Sequence, residues 1–244
     1  MSTPIKIDFV SDVSCPWCAV GLGSLEQALD RLQGEVDAHI TFQPFELNPQ
    51  MGREGQDIGE HLTQKYGSTP EQQAQIRDTI RARGAEVGFA FNPEGRGRIW
   101  NTFDAHRLLL WAGEEGAPGQ QHALKKALLT AYHGRAESPA DHAVLLAAVV
   151  DVGLDAARAR KDDLTQARDV AGLTLDGAGR AAGKCGGATG LGGNGAARAA
   201  RADRQLAEVL GPGIGAGDAD GIVLLARLQL AGGELHILRR QGRF

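Results

Sequence analysis

Aromatic residues are scarce in this chain, and they stop early. Phe, Trp and Tyr make up 5% of 244 residues, and none lies between Tyr132 and Phe244. Cysteine is rarer still: Cys15, Cys18 and Cys185 are the only three. So few, and an odd number, argue against a small secreted scaffold stapled by disulfides. No apolar run approaches the roughly 20 residues that span a bilayer. The opening Met1-Ser2-Thr3-Pro4-Ile5-Lys6-Ile7-Asp8 has neither a basic n-region nor an apolar h-region, so no signal peptide is predicted and the expected location is cytoplasmic. A net charge of −4 leaves no basic footprint for nucleic acid or a membrane surface, and neither partner is expected. With 42% hydrophobic and 23% charged residues, the chain reads as globular and long enough to bury a sizeable core.

Two of the three cysteines fall together, in "VSDVSCPWCAVGLGSLEQAL". The run "IKIDFV" (5–10) before them predicts a buried strand. Val20, Leu22, Leu25, Leu29 and Leu32 after them form a helical stripe ending near Gly34. "HITFQPF" (39–45) predicts a second strand, with Pro44 at its end or edge. The cysteines therefore open a helix between two strands. A helix N-terminus presents unpaired N–H groups and the positive end of the dipole, which stabilise a thiolate there. The three-residue spacing lets both sulfurs close a disulfide, and Pro16 suits the first turn because it needs no N–H. The residues between the cysteines tune the redox potential.

Three chemistries fit the pair: redox exchange, half of a metal site, or inert thiols. A metal site needs two more ligands. Cys185 stands far away in a glycine-rich stretch, and no second C-x-x-C exists. The sequence context favours redox chemistry, with no metal and no tightly bound cofactor.

The next hundred residues are predicted to be mostly helical. Ser68-Thr69-Pro70-Glu71 is a start signal for a helix running to about Gly84. "FAFNPEGR" reads as a loop. "NTFDAHRLLLWA" (101–112) places Phe103, His106, Leu110 and Trp111 at helical spacing, with Asn101 as its expected N-cap. Further helices are expected over 120–132 and from Ser138-Pro139 onward. His106 suits either a half-buried helix position or proton transfer. Asp12 suits a cap or a proton acceptor during exchange. Trp17 is expected on a substrate face, and Trp100 and Trp111 in the core.

"SDVSCPWCAVG" after a strand, then "FQPFELNP", then "NTFDAHRLLLWA", together resemble the DsbA family of thioredoxin-fold proteins. The similarity is closest to the FrnE-like branch, beside the 2-hydroxychromene-2-carboxylate isomerases, and covers about residues 4 to 165. It implies an α/β thioredoxin-like fold with an inserted helical domain. The thioredoxin-like part is expected at 1–55 and 150–244, and the insertion at 56–149. It further implies thiol–disulfide oxidoreductase chemistry at Cys15 and Cys18, with Asp12, Pro16, Trp17, Asn101 and His106 as supporting or substrate-face residues. Glutathione or another dithiol is the implied redox partner. The isomerase relatives typically carry Ser at the first cysteine position and use glutathione. That makes a glutathione-dependent isomerase or transferase the alternative, and a non-catalytic or defective family member the third reading.

Beyond about residue 165 the composition changes. About half of the 34 glycines follow residue 170, and "GAGRAAGKCGGATGLGGNGAARAARA" is nearly a Gly/Ala/Arg tract with little to bury. Family members close the fold with a cis-proline, two antiparallel strands and a helix. Here Pro212 is the sole proline after Pro139, and no strand follows it directly. The tract is expected to be atypical and disordered or weakly structured; it is read as a shifted reading frame of a GC-rich gene, which would leave two core strands unpartnered, with a divergent, flexible tail as the alternative. Residues 203–210 suggest a short helix, and 222–238 either a hairpin or a helix. Gly190, Gly192 and Gly195 match a dinucleotide fingerprint only in letters, since no strand precedes them. "GRAAGKC" lacks the spacing and hydroxyl of a phosphate loop. Cys185 is expected to be an incidental thiol.

Overall fold

A computed structural model describes residues 2–160 and the strands Val223–Leu230 and Gly233–Arg240. The first strand, β1 (Thr3–Ser11), alternates as its sequence requires: Ile5, Ile7 and Phe9 are buried on one face. Helix α1 (Pro16–Arg31) follows, and β2 (Val36–Pro44) returns parallel to β1, with Ile5 opposite Ala38 and Phe9 opposite Phe42. Gly34 turns the chain between them at φ +83°, a conformation that costs glycine little. Ala19, Leu22, Leu25, Ala28 and Leu32 of this segment bury their stripe against Ile5, Ile7, Phe9 and Phe42.

The sheet is completed from the far end of the chain. Strand β5 (Val223–Leu230) pairs antiparallel with β1, and β6 (Gly233–Arg240) pairs antiparallel with β5, giving the order β2-β1-β5-β6. Residues 222–238 thus form a hairpin rather than a helix. This corrects the expectation of two core strands without partners: Leu-rich runs suit either state, and pairing with the free edge of β1 selects the strand. The glycine-rich tract, Cys185, Pro212 and the helix expected at 203–210 lie outside the described residues. The outer edge of β2 is covered differently. The Gln121 carboxamide accepts from the Phe42 N–H (3.0 Å) and donates to the Phe42 carbonyl (3.1 Å).

Between β2 and the hairpin lies a helical unit. A two-residue strand, β3 (Gln56–Asp57), precedes helices α2 (Ile58–Tyr66) and α3 (Pro70–Glu86). Strand β4 (Arg98–Ile99) pairs with β3. Helices α4 (Phe103–Glu115), α5 (Gln120–Leu129) and α6 (His142–Asp151) follow, α5 continuing into a π-turn at Thr130–Gly134. Thr69 caps α3 reciprocally with Gln72. Two starts differ from expectation. Thr102 is the N-cap of α4 and its side chain bonds nothing there, whereas the Asn101 side chain accepts the Phe103 N–H at 3.0 Å from one position earlier. Helix α6 begins at His142 because Asp141 caps Ala143, and Ser138-Pro139 forms the turn before it. A second core joins α4, α5 and α6, with Leu108, Leu124, Leu145 and Val149 buried around Val13 from the loop after β1.

Candidate active site

The helical unit closes over the start of α1. Cys15 is the N-cap of α1 and Pro16 its first residue, so the Cys18 N–H bonds back to the Cys15 carbonyl at 3.1 Å. Both cysteines are free thiols, and both are buried, at 4% and 3% exposure. Cys15 is therefore no more open to solvent than Cys18, although the order of the two at the helix start predicts an exposed first cysteine and a more buried second one. The cause is packing: Ile80 of α3, with Ile76, Leu47, Val87 and Phe91, forms one apolar cluster with Cys15, Trp17, Cys18 and Val20.

Two glycines permit this approach. A methyl group at Gly23 of α1 would lie 2.9 Å from Val87 Cβ. One at Gly84 of α3 would lie 2.5 Å from the Phe91 ring. The cover over the dithiol is thus α3 and its following loop. Helix α4 packs lower, against the loop leading into the dithiol. His106 reaches that loop, Asn101 donates to the Met51 carbonyl at 2.9 Å, and Trp111 sits in the helical core with its indole N–H on Glu115.

Asp12 anchors the loop before the dithiol. Its carboxylate accepts from the Ser14 N–H (3.0 Å), the Ser14 hydroxyl (2.9 Å) and the Leu47 N–H (2.7 Å), and it meets His106 Nε2 at 3.2 Å. Burial works against its charge. The hydrogen bond and charge of His106, with the two backbone donors, outweigh burial and hold the carboxyl well below the usual carboxylate range. Asp12 is thus a fixed anion that ties β1, the segment after β2 and α4 to one loop.

Several residues at this site carry no motif signal in the sequence. His133, on the π-turn, donates from Nε2 to the Val13 carbonyl at 2.9 Å. Burial, helped by the Arg96 charge, keeps it well below its ordinary pKa and neutral. Arg96 donates to the Ser14 carbonyl. Glu46 has one carboxyl oxygen buried without a hydrogen-bond partner among the described residues, and burial, with the nearby Asp12 charge, raises its pKa. The Trp17 indole N–H is likewise buried and unpartnered, so Trp17 belongs to the apolar cluster rather than to an open face. Trp100, expected in the core, is half-buried beneath the Arg98 guanidinium. Lys125 of α5 is fully buried. "AYHG" and "LKKALL" read simply as helix, and it is the packing of α5 along α1 that brings His133 and Lys125 here.

The two sulfurs act on one another. The hydrogen bond from the Cys15 thiol, aided by the Lys125 charge, draws the Cys18 pKa down against its burial. The same hydrogen bond, with burial and the Cys18 charge, pushes Cys15 well up. The pair therefore gives up its first proton more readily than an isolated thiol would, and its second less readily. Pro16 forms part of the wall of a cleft of about 230 Å³ between α3 and the 91–97 loop, lined by Tyr66, Ile80 and Phe91 and by Arg77, Arg96 and Glu94.

A parallel β-α-β start, an antiparallel hairpin completing the sheet and a C-x-x-C pair at the first turn of α1 define a thioredoxin-like fold carrying an inserted helical unit. The chain belongs to the family of the DSBA-like thioredoxin domain, whose model matches residues 6–171. Among solved structures, it is 31% identical to a probable DsbA oxidoreductase from Streptomyces coelicolor, with a TM-score of 0.58 over 64% of this chain and 66% of that one. The match thus spans just under two thirds of that relative. A candidate protein disulfide isomerase from Nitrosomonas europaea shares the fold over 98% of this chain and 91% of its own, at 15% identity and a TM-score of 0.54. No curated protein shows significant similarity to the chain. Among the described residues, no helix is long and apolar enough to cross a membrane.

Proposed function

We propose that this chain is a thiol–disulfide oxidoreductase working through the Cys15–Cys18 dithiol. The observation that carries this reading is the pair itself: two free thiols three residues apart at the first turn of α1, each acting on the other's ionisation. In the reducing direction, Cys15 gives up its proton to solvent while Cys18 stays deprotonated. The Cys15 thiolate then attacks one sulfur of a substrate disulfide. That S–S bond breaks, a mixed disulfide forms on Cys15, and the other half leaves as thiolate. Cys18, deprotonated, attacks Cys15 Sγ, closes the internal disulfide and releases the second half. Two electrons move from the pair to the substrate. The reverse sequence oxidises two substrate thiols. Glutathione or a protein dithiol recycles the pair.

The cleft beside Pro16 is lined by apolar side chains and by charged ones of both signs, which suits a thiol compound or peptide segment bearing both apolar and charged groups. The glutathione-dependent isomerase reading is disfavoured by Cys15 itself, since a thiol stands where the isomerase pattern has a hydroxyl. Exchange with oxidised glutathione, followed by quench and mass analysis, tests the proposal. Cys18→Ser should accumulate a mixed disulfide on Cys15, and Cys15→Ser should not. Equal trapping by both variants would overturn the assignment of attacker and resolver.

A further inference from the structure

Lys125 is wholly buried, and among the described residues its Nζ has no hydrogen-bond partner. An ammonium held so is costly unless a counter-charge faces it. Its place in the fold shows where that charge is. Helix α5 runs antiparallel to α1. His122 Nε2 and Lys126 Nζ reach Glu26 at 2.6 and 3.0 Å, Leu129 packs with Ala19 and Leu22, and His133 meets the Val13 carbonyl. Lys125 shares the His122–Leu129 side of this helix, three and four residues from each.

Four groups bear on its charge besides its own element. Burial lowers its pKa, and Cys18, Asp12 and Cys15 oppose that by favouring the ammonium. The fourth, the neutral His133 with Arg96 behind it, adds no anion. Asp12 is already satisfied by Ser14, Leu47 and His106. The dithiol remains.

We propose that the Lys125 ammonium, supplied by the helical unit, is the resident counter-ion of the Cys18 thiolate. This rests on the reading of the pair as an exchanging dithiol. When a substrate thiolate attacks Cys15 Sγ of the oxidised pair, the Cys15–Cys18 bond breaks and a bond from substrate sulfur to Cys15 forms. The electron pair departs on Cys18 Sγ, which Lys125 receives as a thiolate without a proton transfer. A second substrate thiolate then attacks the first substrate sulfur. The substrate disulfide leaves, the Cys15 thiolate takes one proton from solvent, and the pair has gained two electrons. In the opposite direction the same ammonium keeps Cys18 deprotonated for the resolving attack. Lys125 is a positioning residue here: it forms no bond to substrate.

The test isolates one thiol. In the full chain carrying Cys15→Ser and Cys185→Ala, Cys18 is the sole cysteine, and its ionisation is followed by thiolate absorbance near 240 nm across pH. With Lys125 present, the midpoint should lie below the ordinary thiol value of about 8.5. Lys125→Met should weaken the acid at least tenfold, and Lys125→Arg should restore most of the difference. Equal midpoints with Lys125 in place and in the Lys125→Met variant overturn the proposal, as does a midpoint at or above the ordinary value with Lys125 in place. If circular dichroism shows that the Lys125→Met substitution unfolds the chain, the titration with Lys125 present decides alone. A low Cys18 midpoint in a protein that fails to exchange with glutathione would sink the oxidoreductase reading and leave the counter-ion standing.

Discussion

Asp12 and His106, 94 positions apart, meet at 3.2 Å with both side chains buried. One end of the contact belongs to the loop that delivers Cys15, and the other to the inserted helical unit. The pair is thus a direct tie between the unit that carries the dithiol and the unit that covers it.

Removing the charge of Asp12 should loosen that tie. Asp12→Asn keeps the shape, but it removes the anion that faces His106 and places an NH2 where an N–H or O–H donor now points. Hydrogen bonds to a buried charged group contribute about 1.5–3 kcal/mol. We expect a loss near the lower end in chemical denaturation, because the amide oxygen still accepts from one backbone donor. A loss under about 1 kcal/mol would show that the carboxylate is dispensable.

The same carboxyl sets an acid limit. Its folded pKa is held well below the ordinary value of about 3.9. A depressed carboxyl contributes stability that is present in full above the unfolded value and is lost as pH falls through the folded one. Stability of the unsubstituted protein should therefore fall steeply below about pH 4. In Asp12→Asn this part of the acid slope should be missing. Denaturation midpoints between pH 6 and pH 2 check it; parallel slopes in the two proteins would remove Asp12 as the cause.

The cover over the dithiol should govern its accessibility. Ile80 is 8% exposed and packs in one cluster with Cys15 and Cys18. Ile80→Ala should cost about 2–4 kcal/mol and should speed alkylation of the reduced cysteines in the folded state several-fold. Unchanged alkylation would mean that the dithiol is reached by another route.

Gly84 offers a sharper probe of the same face. An added methyl would stand 2.5 Å from the Phe91 ring and 2.8 Å from the Phe89 carbonyl. Gly84→Ala should therefore destabilise by about 1–3 kcal/mol, even though alanine favours helix elsewhere. Net stabilisation in thermal unfolding would show that the loop yields freely.

The thioredoxin-like start was legible because its signals are local. Alternating Ile5, Ile7 and Phe9, the α1 stripe and Cys15-Pro16-Trp17-Cys18 each act within a few residues. The helix start at Ser68-Thr69-Pro70-Glu71 was legible for the same reason, though the reciprocal bond with Gln72 was not. What the sequence hid depends on distant packing. Nothing near Cys15 tells that α3 will bury it, since that requires Gly23 and Gly84 to meet their partners across the fold. Lys125 and His133 look like ordinary helix residues until α5 is laid along α1. The π-turn at Thr130–Gly134, which places His133 on the Val13 carbonyl, has no periodic signature of its own. The hairpin was ambiguous because Val223–Leu230 suits helix as well as strand, and only the vacant edge of β1 settles it. The family match ends at residue 171, close to where the composition turns to Gly, Ala and Arg. Translating the other two frames from codon 160 onward tests the shifted-frame reading of that tract. A Val-Pro followed by a β-rich run and a helix is expected in one of them, and its absence from both would end that reading.

The most direct test of dithiol exchange is to equilibrate the full chain in glutathione buffers of graded ratio, quench with acid and map the cysteines by mass. Cys15 and Cys18 should pass reversibly from two thiols to one internal disulfide over a narrow range of ratios, with Cys185 outside that bond. Two thiols that stay reduced even in oxidised glutathione, or that bond to Cys185 rather than to each other, would contradict it.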